Sequence, residues 1–487
     1  MMNLASALDL HARARPDHPA LIEGDQTIRY GALSGLVRRL AAHFVDRAPR
    51  SDAIIGLCLE DTARHVMALY ALARAGRAIL PMDVRWTATE KANVAQHFGA
   101  NLVLVEPGAG PIGTVETVSW DNAFDIAIAR SDPDTIFPED GETPLVLSLS
   151  SGTTGRPKGP LITHRHFFRR FMTHWINLGL NGRDRFVMAT PLYFGGGRTF
   201  AMSVLFSGGT VILRPPPCTP DALLETIRVE AATSLFLVPT QFRRLLELSD
   251  AQLMPMQALN LLFSSGAPLS ADERRAIRSR MCPRFFEYYA STEGGGITLL
   301  APGDIDDHGG SVGRPVFAVD VDVVDDHGSS LAAGTTGRLR YRGPGVASSY
   351  YRDAETSSEA FHDGWFYPGD LADIDAEGFV TLRGRAKDMI IRGGINIFPA
   401  DIEATLTAHP AVAEAAVVGW PSREFGEEIA AFVRLAGLAT EADLLGFVQA
   451  RLARAKWPRE VFIVDDLPRN SSGKVLKRIL AEGLPLL

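Results

Sequence analysis

Cysteine is scarce: only Cys58, Cys218 and Cys282 occur in 487 residues, an odd number with no Cys-x-x-Cys spacing and no histidine cluster beside them. A disulfide framework and a structural zinc site are thereby excluded, and three inert thiols in a reducing compartment are expected. Long apolar runs are missing too, since none approaches the roughly 18 residues that a membrane span needs. The stretch from Met1 to Arg15 mixes Asp9 and His11 with Leu4, Leu8 and Leu10 at helical spacing. That pattern predicts an amphipathic first helix rather than a signal peptide, and a cytoplasmic location. Nor is there an excess of positive charge. With 49 basic against 57 acidic residues the net charge is −8, so no global field holds a polyanion and nucleic acid is excluded as the main partner. Internal repeats and low-complexity tracts are absent as well.

What is present is a globular composition, 46% hydrophobic and 22% charged, with room for about three structural units at roughly 150 residues each. Continuous Val/Ile/Leu runs near Ile54, Leu102, Leu147, Val211, Leu235 and Leu261 read as strands buried on both faces. Between them "DTARHVMALYALARAG" and "PDALLETIRVEAAT" carry helical periodicity. The expected fold class is α/β, with layered, mostly parallel sheets. From about Ser311 the texture changes to alternating segments and turns, which predict a small β-barrel-like subdomain over about 311–386. Beyond Lys387 come a helix in "PADIEATLTAHP", a strand pair in "VAEAAVVGW" and "EIAAFVRL", and a helix from Glu441 to about Ala455. This makes a small α+β C-terminal domain, 387–487, after a large N-terminal domain, 1–386.

The strongest motif is "SSGTTGRPKG", Ser150–Gly159, directly after a predicted buried strand. Its hydroxyl pairs, its glycines and Lys158 form a concave donor surface suited to phosphate oxygens. It is not a Walker A loop, because Gly159 rather than Ser or Thr follows Lys158. In "FEYYASTE" a tyrosine pair offers a flat surface for a purine, Thr292 a hydroxyl for a phosphate, and Glu293 a hard oxygen ligand suited to Mg²⁺. Asp370, after Gly369 in a turn, suits a ribose diol, and Arg385 would face the same ribose or a phosphate. Lys474, in "SSGK" before the last helix, is a flexible ammonium able to bridge a carboxylate and a phosphate.

With these motifs the chain resembles the adenylate-forming superfamily of acyl-CoA synthetases, peptide-synthetase adenylation domains and luciferases. The resemblance runs in order through "SSGTTGRPKG", "SSGAPLS" at Ser264–Ser270, "YYASTE" at Tyr288–Glu293, Asp363–Glu403 and "PRNSSGKVLKRIL" at Pro468–Leu480. It implies that Lys474 is the catalytic lysine, with Glu293 and Thr153 beside it in the chemistry and Glu293 as the Mg²⁺ ligand. It implies nucleotide contacts from Ser151, Thr154, Lys158, Gly266, Ala267, Pro268, Glu287, Tyr288, Tyr289, Thr292, Asp370 and Arg385. Tyr289 would stack on adenine and Glu287 would face its amino group. It further implies a mobile C-terminal domain pivoting at Lys387. Gly394, in the Gly393-Gly394 strip, would give passage to pantetheine, and Phe425 would stack on the CoA adenine.

Three departures from the family pattern stand out. Phe194 replaces the histidine of a Pro-x-x-His segment, Ala290 replaces a glycine before Ser291-Thr292-Glu293, and Pro368 replaces a Thr or Ser before Gly369-Asp370. The expected activity is that of an acid–thiol ligase: ATP, Mg²⁺ and coenzyme A are used to convert a fatty or aryl monocarboxylic acid to its acyl-CoA through an acyl adenylate. The alternatives are transfer of the acyl group to a carrier protein and a non-catalytic nucleotide-binding module. An α-amino acid substrate is disfavoured because "PLYFGGGRTF" offers no carboxylate to an ammonium. Phe194, Gly195, Arg198 and Gly294 are the expected acyl-pocket residues, with Arg198 open to a second carboxylate on the substrate. The expected partners are the acid and CoA, with a homodimer as the possible assembly.

Overall fold

The structure, a computed structural model, describes residues 3–133, 137–149, 157–469 and 475–487, the side chain of Asn396 excepted. The chain divides into two compact units. One comprises Met1–Gly309, Gly313–Asp320 and Arg342–Phe366; the other comprises Gly310–Val312, Val321–Tyr341 and Tyr367–Leu487.

In the first unit the apolar runs become the strands of two sheets. In the nine-stranded sheet, Phe285–Ser291, Leu261–Ser265, Ser234–Leu237, Arg185–Met188, Thr210–Leu213 and Pro19–Glu23 lie side by side and parallel. The six-stranded sheet runs parallel through Glu116–Ser119, Leu102–Val105, Ile54–Cys58, Ala78–Pro81 and Pro144–Leu147, with Leu161–Thr163 antiparallel at its edge. Strand Ile54–Cys58 is buried at every residue. Helix Ala63–Ala75 buries 11 of its 13 residues, as expected for a helix covered on every side. Its Leu69 and Tyr70 share one apolar core with Ile55 of one sheet and Phe186 of the other.

A parallel sheet directs every loop that follows its strands to one edge, where ligands of α/β folds gather. Ser148, Pro191–Phe194, Val238, Gly266–Pro268 and Thr292-Glu293 all follow strands of this kind, and Tyr289 lies near the end of one. Among the described residues no helix is long and apolar enough to cross a membrane. Cys58 and Cys282 are buried, Cys218 is half-buried, and all three are free.

In the second unit, the strand that begins at Gly337 pairs with Asp370–Ile374, which pairs with Val380–Arg385, all antiparallel. The long pair Val412–Ser422 and Gly426–Leu435 follows, with helices Pro399–Thr407 and Glu441–Gln449 contributing to its core. The last of these helices ends at Gln449, short of the expected Ala455. Ala450 and Arg451 close it, and a 3-10 turn, Arg454–Lys456, takes its place before Trp457-Pro458. Proline disfavours a helical residue before it, and Trp457 is extended, at φ −73° and ψ 125°.

Candidate active site

Lys158 and Gly159 are described, whereas Ser151, Thr153, Thr154 and Lys474 lie outside the described residues. The Lys158 ammonium stands over the Tyr350 ring, 4.4 Å from its centroid, and the Tyr350 hydroxyl donates to Glu293 Oε1 at 2.9 Å. Three residues from distant parts of the chain thus form one line of contact. Glycine is required at 159, because a Cβ there would stand 2.3 Å from the Ser148 carbonyl oxygen, while the Gly159 carbonyl accepts from Tyr351 N–H at 2.9 Å. Tyr350 carries no motif signal in the sequence; only its position 57 residues from Glu293 in the folded pairing reveals it.

Arg170 fixes the Glu293 turn from beneath. Buried itself, it donates to the carbonyls of Thr292 at 3.2 Å, Glu293 at 2.7 Å and Gly345 at 2.9 Å. Gly295 follows with φ +73°, and a Cβ there would meet the Arg170 side chain at 2.8 Å. Gly294 N–H donates to Ser291 Oγ at 2.8 Å, so Gly294 belongs to this turn. Glu293 is 7% exposed as a residue, and its carboxylate is a hard oxygen donor suited to Mg²⁺. That ion is commonly held by one or two carboxylates together with substrate phosphates. Among the described residues no group of three His, Cys, Asp or Glu could hold a metal ion on its own.

Strand alternation separates the two tyrosines. Tyr289 is half-buried at the strand end, whereas Tyr288 turns inward, buried, and donates to Thr173 Oγ1 at 2.7 Å. The Tyr288 side chain therefore belongs to the core, and Tyr289 is the more exposed of the pair. Both oxygens of Glu287 accept from Arg274, at 2.6 and 2.8 Å, and the pair is buried. Burial pushes the Glu287 carboxyl up, and Arg274 opposes it. A buried carboxylate needs such a partner, and Arg274 supplies it to Glu287. Gly266, Ala267 and Pro268 form an exposed loop beyond strand Leu261–Ser265, whose last residue pairs with Tyr288.

Of the residues expected to border an acyl group, Phe194 caps helix Gly195–Ser207. Its ring and that of Phe236 would stand 3.4 and 2.9 Å from a Cβ on Gly196, while Gly195 faces open space. Phe236 continues into a buried cluster with Phe200 and Phe263, ring centroids 4.6–5.3 Å apart. Arg198 is turned onto the chain itself. It is 1% exposed and donates to the carbonyls of Leu192 at 3.1 Å and Tyr193 at 2.9 Å and to Ser148 Oγ at 3.0 Å. Burial first, then nearby Arg170, lowers it to about 9, so it stays charged at neutral pH.

In the second unit Asp370 and Arg385 face each other on paired strands, with Arg385 Nε 2.7 Å from Asp370 Oδ1. Arg385 also donates to the Pro368 carbonyl at 2.7 Å. Lys387 is exposed in the turn Ala386–Asp388. Gly393 and Gly394, at φ +57° and +83°, make the two-residue turn of hairpin Ile390–Arg392/Ile395–Ile397, the conformation that favours glycine at both places. Phe425 lies against this turn, its carbonyl accepting from Gly393 N–H at 2.9 Å and its ring 5.5 Å from the Arg392 guanidinium.

A family described as AMP-binding enzyme matches residues 8–351, and one described as AMP-binding enzyme C-terminal domain matches 401–474. An indoleacetate–CoA ligase of Aromatoleum aromaticum is 30% identical over 495 residues, covering 98% of this chain and 97% of that protein. The crystal structure of ATP-bound MatB from Rhodopseudomonas palustris superposes with a TM-score of 0.90 at 30% identity over 99% of both chains. The o-succinylbenzoate CoA synthetase of Bacillus subtilis, in complex with ATP and magnesium ion, does so with a TM-score of 0.88 at 27% identity over 99% of both chains.

Proposed function

This chain belongs to the AMP-binding enzyme family, and we propose that it is an ATP-dependent carboxylic acid–CoA ligase acting on a fatty or aryl monocarboxylic acid. In the first half-reaction a carboxylate oxygen of the acid attacks the α-phosphorus of ATP, and the bond to pyrophosphate breaks. In the second the CoA sulfur attacks the acyl carbon, AMP leaves with the bridging oxygen, and the thiol proton passes to solvent.

The observation that carries this reading is the line Lys158–Tyr350–Glu293, which joins the end of the phosphate-loop motif to the carboxylate that suits Mg²⁺. Lys158, with Ser151, Thr153 and Thr154, would hold the phosphates through hydroxyl and ammonium donors. Mg²⁺ on Glu293 would neutralise charge on the phosphate oxygens. Tyr350 orients the Glu293 carboxylate, and Arg170 fixes the backbone that carries it. Tyr289 and the Gly266–Pro268 loop would flank the adenine, and Asp370 would accept from the ribose with Arg385 beside it. Lys474 would bridge the acid's carboxylate and the α-phosphate as charge builds between them.

Lys387 is the proposed pivot between an N-terminal domain, 1–386, and a mobile C-terminal domain, 387–487. Its rotation would exchange Lys474 for the Gly394 and Phe425 face that receives CoA. The rings of Phe194 and Phe236 support an apolar or aromatic acid, and the closure of Arg198 onto backbone carbonyls argues against a second carboxylate on it. A cytoplasmic setting agrees with three free thiols and with the supply of ATP and CoA.

The test is a panel of fatty, branched, aryl and dicarboxylic acids assayed for AMP release with and without CoA. Acid-dependent and CoA-dependent AMP release with an apolar monocarboxylate is expected. AMP release that ignores CoA, or a preference for malonate and methylmalonate, would contradict the acceptor and the acid class respectively.

A further inference from the structure

Two residues between strand Arg185–Met188 and helix Gly195–Ser207 are held more tightly than a connecting loop requires. The Leu192 N–H donates to Asp61 Oδ1 at 2.6 Å, and Arg198 donates to the carbonyls of Leu192 and Tyr193. The Tyr193 hydroxyl accepts from Arg85 Nη2 at 2.6 Å, and Arg85 pairs with the buried Asp83. Arg198 also reaches Ser148, two residues before the phosphate-loop motif begins. Asp61, Asp83 and Ser148 all follow strands of the six-stranded sheet, whereas Leu192 and Arg198 follow a strand of the nine-stranded one. The grip therefore ties together the ligand-facing edges of the two sheets, one residue before Phe194.

We propose that Asp61 and Arg198 are positioning residues for the acid substrate: gripping the Leu192 peptide from its N–H and C=O sides, they fix Phe194 and Gly195, and protonation of Asp61 loosens that grip. The proposal rests on the ligase reading, in which Phe194 and Gly195 border the acyl group. Neither residue touches the reacting atoms.

The surroundings of Asp61 make it titrate in a useful range. Burial pushes its carboxyl up to about 6. The Leu192 N–H and Arg85 pull it down, while Glu60 on its own loop and Asp83 on the facing segment push it further up. His65, on the helix that follows, is buried and lowered to about 4, so it adds no charge near neutral pH. Asp83 itself is worked against by burial, but Arg85 and Tyr193 outweigh this and hold it below its ordinary value, so it stays ionised. Above about pH 6 Asp61 is a carboxylate and its bond to Leu192 is charge-assisted. Below that it is a neutral acceptor, and the bond weakens.

The test compares wild type with Asp61→Asn, which keeps an acceptor oxygen but does not titrate. The substrate is an aryl acid ionised across pH 5.5–7.5. In the wild type KM for the acid should rise on the order of fivefold from pH 7.5 to 5.5, the difference between a charge-assisted and a neutral hydrogen bond. Thioester formation from supplied acyl adenylate should change little. In Asp61→Asn the KM profile should be flat. A second readout needs no turnover: hydrogen exchange of the peptide spanning Leu192–Phe194, corrected for the intrinsic pH dependence, should lose protection by a similar factor in the wild type only. An equal pH dependence in both proteins, or wild-type protection that ignores pH, would overturn the proposal. If exchange behaves as expected while no acid supports CoA-dependent AMP release, the ligase reading fails and the grip stands.

Discussion

Arg198 and Arg274 are both buried guanidiniums, 1% and 3% exposed, yet they are neutralised in opposite ways. Arg274 is bidentate to Glu287 and so forms a buried ion pair. Among the described residues Arg198 has no carboxylate and is held by two carbonyls and a serine hydroxyl, while its Nε lacks a partner. The first arrangement locks helix Ala271–Arg280 to strand Phe285–Ser291. The second holds a segment that borders the proposed acyl site through groups with no net charge of their own. A carboxylate therefore marks structural fixation at Glu287, and its absence at Arg198 marks a grip on backbone.

The sharpest way to break this comparison is Arg274→Leu. It strands a buried carboxylate, and the expected loss of stability is about 3–5 kcal/mol, read by denaturant unfolding. Arg274→Leu with Glu287→Leu should recover most of it. A loss below about 1 kcal/mol would show that the pair is not the lock described. Arg198→Leu strands only neutral acceptors, each costing about 1–3 kcal/mol, while it also removes the burden of a buried cation. The expected net loss is smaller than for Arg274→Leu, about 2 kcal/mol, with a rise in KM for the acid. A wild-type preference for dicarboxylates that disappears in Arg198→Leu would show instead that Arg198 meets substrate.

Tyr350→Phe probes the line between Lys158 and Glu293. A hydrogen bond to a charged group contributes about 1.5–3 kcal/mol, so the ATP concentration needed for half-maximal rate should rise about tenfold with little change in KM for the acid. Unchanged ATP dependence would remove Tyr350 from the site. The smallest effect concerns stability and Asp61. Its folded pKa of about 6 lies above the ordinary carboxylate value, so the native state holds the proton more tightly than the unfolded chain. The wild type then loses stability as pH rises from about 4 through about 6. Asp61→Asn lacks this loss, so its Tm relative to wild type should climb across that window and level off above it. A constant difference in calorimetric Tm at pH 4.5, 6 and 7.5 would contradict the assignment.

Much of the fold was legible because parallel strands advertise themselves. Runs such as those at Ile54 and Leu261 are buried on both faces, and the motif residues Lys158, Thr292 and Glu293 follow strands of this kind. What stayed hidden depends on pairing across long stretches of chain. Arg170 reaches Glu293 over 123 residues, and Asp61 reaches Leu192 over 131. No local pattern records such distances. The settings of Glu287 and Tyr288 were hidden for a related reason. A motif names residue types, but strand alternation decides which of two neighbours turns inward, and the partner that neutralises Glu287 lies on the preceding helix. The partners of Arg198 were hidden likewise, since two of them are backbone carbonyls that no residue type announces.

The central claim, activation of a carboxylic acid as its adenylate before transfer to CoA, is tested most directly with acid labelled with ¹⁸O in its carboxylate. Attack of that oxygen on the α-phosphorus predicts one ¹⁸O in the AMP phosphate per turnover and none in pyrophosphate. AMP that carries no label, or label found in pyrophosphate or inorganic phosphate, would contradict it.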